Sequence, residues 1–354
     1  MKTRIVLSVL AAAAVASAGP ACAQFYKGKR VTMLINYAAG GPTDIEGRIV
    51  ARHLQNHIPG NPNVIVKNMG GGGGMIASNF LGEVAKPDGM TFGFFTWNVV
   101  AGMIGDPGLR VKYDKFPFIA GIANPVVFYV RNDTQPGLKS GDDLMKASGF
   151  KACALNARNT NAIQMGLTYD MLGLKYKLVP GYQGLKAVEA AVLKGECQSA
   201  NSSLPGWKGS IEPTMGKEVV PVFQLVAPDD GGKIARASAI PNIPTFEEYY
   251  ARHKGGQPKG MEYTALRKIV DTFMAMFRTS FAAPGAPKES VETLRQGFRA
   301  LWQDEKFLAD YEKRVKNRPD LIVGEEGEKR IADLSNIDPK LAQYFKGYIA
   351  KISQ

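Results

Sequence analysis

The chain has 354 residues, 45% hydrophobic and 21% charged, with 44 Lys+Arg against 32 Asp+Glu and a formal net charge of +12. That length predicts about two domains, each able to bury its own core. Beyond the N-terminus no stretch approaches ~18 uninterrupted apolar residues, which argues against later membrane-spanning helices.

Lys2 and Arg4 precede an apolar run over 5–15, and Ala21-Cys22-Ala23 follows small residues. This is the pattern of a secretory signal peptide over residues 1–23. Cleavage leaves 42 basic against 32 acidic residues, net +10. A positive surface favours anionic partners, while export and the scatter of the basic residues argue against nucleic acid. Cys153 and Cys197 then remain, compatible with one disulfide or with two buried thiols.

Strand-like and helix-like segments alternate, which predicts an α/β fold with mainly parallel sheets. Residues 30–36 read as a strand. Residues 43–58 read as an amphipathic helix, with Thr43 and Glu46 fitting a capping box at its start. A strand over 63–67, a helix over 75–84 and a strand over 91–95 follow. After a composition shift at 121–125, strands are predicted over 126–131, 151–155, 176–179, 197–201 and 219–226. Helices are predicted over 142–148, 162–172 and 185–193. A charged stretch at 252–268 and a Phe/Met-rich segment at 273–281 precede helices over about 288–315 and 325–352.

Five consecutive glycines, at 70–74, stand between a strand and a helix. They miss the Walker A pattern because Met75 and Ile76 follow Gly74. They miss the dinucleotide fingerprint because the third required glycine falls on Met75. The reading that remains is a turn with left-handed φ, its bare N–H groups near a cleft. His53 and His57 are four apart, but no third ligand accompanies them, so no metal is expected. Ser148-x-x-Lys151 lacks its companion motifs, and there is no Gly-x-Ser-x-Gly elbow. Neither an enzyme nor a cofactor is expected.

The informative signal is a set of polar, small-residue loops after strands: 37–44, 96–98, 156–161 and 181–184. Ligands bind where such loops gather, at the carboxyl ends of parallel strands. The candidate ligand-binding residues are Tyr37, Ala39, Gly40, Gly41, Thr96, Asn98, Asn156, Arg158, Asn159, Thr160 and Tyr182. Trp97 either stacks on an aromatic ligand or packs in its lobe.

The opening KRVTMLINYAAGGPTD resembles that of the tripartite tricarboxylate transporter receptors, or Bug proteins. VAKPDGMT at 84–91, VPGYQG at 179–184, IPNIPT at 240–245 and FAAPGAP at 281–287 are similar to further motifs of that family, in the same order. The resemblance implies a two-lobed periplasmic binding protein of the type II, Venus-flytrap kind. It would be a monomer that binds a small organic carboxylate and delivers it to a two-component integral membrane permease. A periplasmic ligand sensor is the alternative. Lobe 1 is expected over 24–124 plus 226–354, and lobe 2 over 125–225. The family's serine- and glycine-rich second-lobe loop is replaced here by Asn156-Ala157-Arg158-Asn159-Thr160-Asn161. Arg158 is therefore expected to pair with a ligand carboxylate. Residues 252–268 look like an insertion relative to the family.

Overall fold

A computed structural model describes residues 25–229, 231–318 and 320–353. The predicted signal peptide lies outside the described residues. Among those residues, no helix is long and apolar enough to cross a membrane.

Two sheets organise the chain. The first, in the order β11-β4-β10-β3-β1-β2, holds β1 (Arg30–Ile35), β2 (Asn63–Asn68), β3 (Thr91–Thr96), β4 (Phe118–Ile122), β10 (Arg278–Ala282) and β11 (Leu321–Val323). The second, in the order β7-β6-β8-β5-β9, holds β5 (Val126–Arg131), β6 (Phe150–Cys153), β7 (Tyr176–Val179), β8 (Ser199–Ser203) and β9 (Val219–Leu225).

Most strands in each sheet share a direction, but the neighbour pairings are mixed where sequence patterning suggested mainly parallel sheets. β10 runs antiparallel to both β3 and β4, and β5 runs antiparallel to both β8 and β9. Parallel neighbours require a crossover connection, usually a helix. The β1–β2 and β1–β3 pairs have them, in α1 (Pro42–Leu54) and α2 (Met75–Glu83), as does β6–β7 in α4 (Thr160–Leu172). β5 enters its sheet directly from β4, and β10 returns to the first sheet after β9. Neither is bound to the crossover rule. Reversal has a positional consequence: the first residue of β10, Arg278, pairs with the last residue of β3, Thr96. A strand start thereby stands among the strand ends where ligand loops collect.

Several elements begin or end away from their expected bounds. The helix expected over 142–148 is a short 3₁₀ segment, Gly141–Lys146. The stretch at 252–268 is largely helical, covered by Phe246–Lys254 and Met261–Phe273. These two helices, assigned from sequence to lobe 1, pack against α4, and the first of them also against β9. The last two expected helices are each broken in two, the second at Pro339, which opens Pro339–Ile352.

One buried cluster runs through both sheets, from Phe95, Phe118 and Phe281 to Phe128, Phe223 and Tyr169. Phe128 and Phe223 stack at 4.5 Å within it. Trp97 packs rather than facing a ligand: it is 1% exposed and donates its indole N–H to the Met276 carbonyl at 2.9 Å. Cys153 and Cys197 form a disulfide that ties the end of β6 to the approach to β8.

Candidate functional site

The loop after β1 turns into α1 at Gly41, the N-cap, with Pro42 at the first helical position. Proline is pre-set for that position because its φ is helical and it lacks the N–H that would go unpaired there. The helix therefore starts earlier than the capping box required, and that expectation is corrected. Thr43 lies inside the helix and shares a hydrogen bond of 2.9 Å with the Thr96 hydroxyl. The acid that reaches back is Asp44, which accepts the Gly40 N–H at 2.9 Å. Asp44 also accepts from Arg48 and from Asn68 Nδ2 at 2.9 Å. Burial works to raise its pKa, but these three donors hold it below the ordinary carboxylate value.

Glu46, expected at the helix mouth, is completely buried instead. It accepts from Arg278 Nε at 2.5 Å, from the Tyr311 hydroxyl at 2.6 Å and from Asn124 Nδ2 at 3.0 Å. Burial, and then the adjacent Glu46, push the Tyr311 pKa far above the usual phenol value, so the phenol stays a donor. Arg278 reaches on to the Thr96 hydroxyl and to Ser203 Oγ at 3.2 Å, linking β3 of one sheet with β8 of the other.

The glycine turn borders the same region. Gly71, Gly72, Gly73 and Gly74 all have φ between +57° and +115°. The Gly73 carbonyl accepts from the Tyr37 hydroxyl and from Asn98 Nδ2, each at 2.8 Å. Burial pushes the Tyr37 pKa up to about 12, so it remains a neutral phenol.

From the other side comes the loop before α4. Asn159 caps that helix by accepting the Asn161 N–H at 3.0 Å, while its Nδ2 donates to Tyr37 Oη at 3.3 Å. Asn161 bonds Asn201 on β8 at 3.1 Å. Nearby, α5 (Leu185–Leu193) begins after Gly184, and Lys186 in its first turn contacts Glu189 at 3.1 Å and Ser210 at 2.7 Å.

Between these loops lies a narrow cleft, part of it open to solvent. Of the expected ligand-binding residues, Tyr37, Ala39, Gly41, Thr96 and Asn159 line it. The other expected residues are not among its lining. The Gly40 amide is taken by Asp44, and Asn98 is held by the glycine turn. Asn156 accepts the Arg158 N–H through Oδ1. Thr160 is buried, with no hydrogen-bond partner for its hydroxyl among the described residues. Tyr182 turns its hydroxyl to Glu196 at 3.2 Å. Arg158, in the loop before α4, pairs with Asp106, in the loop after the helix Val99–Ile104, at 3.4 Å.

Five lining residues lie outside the expected loops: Leu155, Leu185, Lys186, Phe277 and Arg278. Arg278 opens a reversed strand and Lys186 lies in the first turn of a helix, so neither belongs to a loop after a strand. His53 and His57 take separate acids, Asp310 at 3.0 Å and Asp304 at 2.9 Å. His253, in the charged stretch at 252–268, is helical and contacts Asp142 at 3.0 Å.

Chemically, α1, α4 and α5 all direct their N-terminal ends at one cleft. Each end carries roughly half a positive charge and unpaired N–H groups, suited to an anion.

No protein-family model matches the chain. It is 25% identical over 238 residues to a UPF0065 protein of Agrobacterium vitis, covering 63% of this chain and 62% of that one. It is 36% identical over 74 residues to protein BugT of Bordetella pertussis, covering 21% and 22%. The matches thus span less than two thirds of either relative. Among solved structures, the chain is similar to the periplasmic binding protein BugD, with a TM-score of 0.68 at 18% identity, covering 91% and 98% of the two chains. It is also similar to the R. palustris protein Rpa4515, solved with adipate, with a TM-score of 0.67 at 18% identity, covering 92% and 97%. At such identity these likenesses establish the fold, that of periplasmic binding proteins.

Proposed function

We propose that this chain, a relative of the Bug/TctC solute-binding proteins, is an extracytoplasmic receptor for a small organic carboxylate. The observation that carries this is the convergence of three helix N-termini on one interlobe cleft, in the fold of periplasmic binding proteins. The residues proposed to meet the ligand are Tyr37, Ala39, Gly41, Thr96 and Asn159, with Arg278 forming the floor. In this reading the protein is exported by its N-terminal signal, acts in the periplasm as a monomer and hands its ligand to a two-component integral membrane permease. The lobes, about 24–124 with 226–354 and 125–225, close on the ligand as two jaws. Binding suffices for that task, and no turnover is proposed.

A melting-temperature screen against mono-, di- and tricarboxylates tests the reading. A ligand present at a hundred times its dissociation constant adds about 2.7 kcal/mol of stability, a readily measured shift. The expected result is a saturable rise with at least one acid. A screen in which no acid shifts the transition would overturn it.

A further inference from the structure

We infer that the cleft selects a monocarboxylate with an apolar body over di- and tricarboxylates, a refinement that rests on the receptor reading above. Charge pairing carries the inference. The cations in and around the cleft already hold a carboxylate: Arg278 meets Glu46 at 2.5 Å, Lys186 meets Glu189 at 3.1 Å, and Arg158 meets Asp106 at 3.4 Å. Arg48, beside the first loop, is matched by Asp44 at 2.9 Å. The positive potential left for a ligand comes from helix ends and neutral donors. The starts of three helices line this one cleft, and their partial positive charges suit one carboxylate.

A second carboxylate would enter the cleft without a free cation to meet it, and an unpaired charge removed from water is strongly disfavoured. The walls favour the alternative. Ala38, Ala39, Pro42, Leu155, Leu185 and Phe277 supply apolar surface, with Phe277 held beside the Arg278 guanidinium at 4.6 Å. An alkyl or aryl body buries its surface against these side chains at a gain of about 25 cal/mol per Å². A hydroxylated or multiply charged body gains no such term and loses its hydration.

Matched ligand pairs test this directly on the purified protein. Hexanoate and adipate share a six-carbon chain and differ by one terminal carboxylate; benzoate and terephthalate differ in the same way. Calorimetric titration is expected to show the monoacid binding at least about tenfold tighter in a pair that binds, or roughly 1.4 kcal/mol. Adipate or terephthalate binding as tightly as its monoacid would overturn the inference while leaving the receptor reading intact. Failure of every acid in the broader screen would overturn both. The variant Glu189→Gln frees Lys186 without touching the cleft walls. It should shift the hexanoate-to-adipate preference at least threefold toward adipate, and an unchanged ratio would refute charge pairing as the cause.

Discussion

Arg278 and Glu46, 232 residues apart in the chain, meet at 2.5 Å with side-chain exposures of 1% and 0%. The pair joins a helix to a reversed strand under the cleft, and Arg278 carries the contact on to Ser203 in the second sheet. Removing one member of such a pair leaves an uncompensated charge in the interior. Glu46→Ala should therefore cost about 3–5 kcal/mol of folding stability. Urea denaturation measures it, and a loss below about 1 kcal/mol would mean that the site admits water.

Arg158 and Asp106 hold the two jaws together at 3.4 Å, with the arginine side chain half exposed and the aspartate buried. Solvent screening limits the pair to about 0.5–1 kcal/mol. Arg158→Ala and Asp106→Asn should each weaken ligand affinity a few-fold, and the double variant no more than the worse single one. Affinities that multiply independently would show that the pair does not contribute to closure. Raising the salt concentration should reduce the effect in the wild-type protein but not in the double variant.

Gly73 adopts φ 65° and ψ 24°, and a Cβ there would lie 2.5 Å from Asn156 Nδ2 on the opposite jaw. Gly72 has φ 57°, but its added Cβ would meet Ile76 Cγ1 at 3.4 Å and Met75 Cβ at 3.9 Å, ordinary contacts within its own turn. Alanine at either site should cost about 1–2 kcal/mol in backbone strain. Only Gly73→Ala should also weaken ligand binding, because only it displaces a side chain of the loop before α4. Equal affinities in the two variants would contradict this.

The Cys153–Cys197 disulfide closes a sequence separation of 44 residues. Replacing both cysteines with serine should lower stability by about 2–5 kcal/mol. Denaturation with and without reductant provides the check: the wild-type protein should weaken in reductant and the double variant should not respond.

Asp44 has a pKa lowered in the folded state, burial opposing and its Arg48, Gly40 and Asn68 donors outweighing it. A depressed carboxylate pKa stabilises the fold above the unfolded value and loses that contribution as pH falls through the folded value. Stability should thus decline below about pH 4, and Asp44→Asn should flatten part of that decline. Parallel slopes for the two proteins between about pH 5 and pH 2 would assign the acid sensitivity to other carboxylates.

Much of the scaffold was legible because its signals are local. Strand β5 and helix α5 fall where alternation and helical spacing placed them, at Val126–Arg131 and Leu185–Leu193. The glycine turn was legible for the same reason, since consecutive glycines mark backbone that other residues resist. Tyr37, Thr96 and Asn159 line the cleft because the polar segments at the ends of β1, β3 and β6, in two different sheets, face it.

The rest depended on partners distant in sequence. A capping box at Thr43 and Glu46 was locally sound, yet Pro42 moved the helix start and Glu46 found Arg278, Tyr311 and Asn124. Arg158, expected to meet a ligand carboxylate, faces Asp106 at 3.4 Å, a partner no local pattern announces. The sequence by itself determined an alternating α/β chain and the loops that form its cleft, because periodicity and turn chemistry act over a few residues. Only the tertiary structure decided that β10 runs backwards, that Arg278 therefore stands at the cleft floor, and which carboxylate neutralises each cation. Those outcomes follow from long-range strand pairing and from the cost of leaving a buried charge alone.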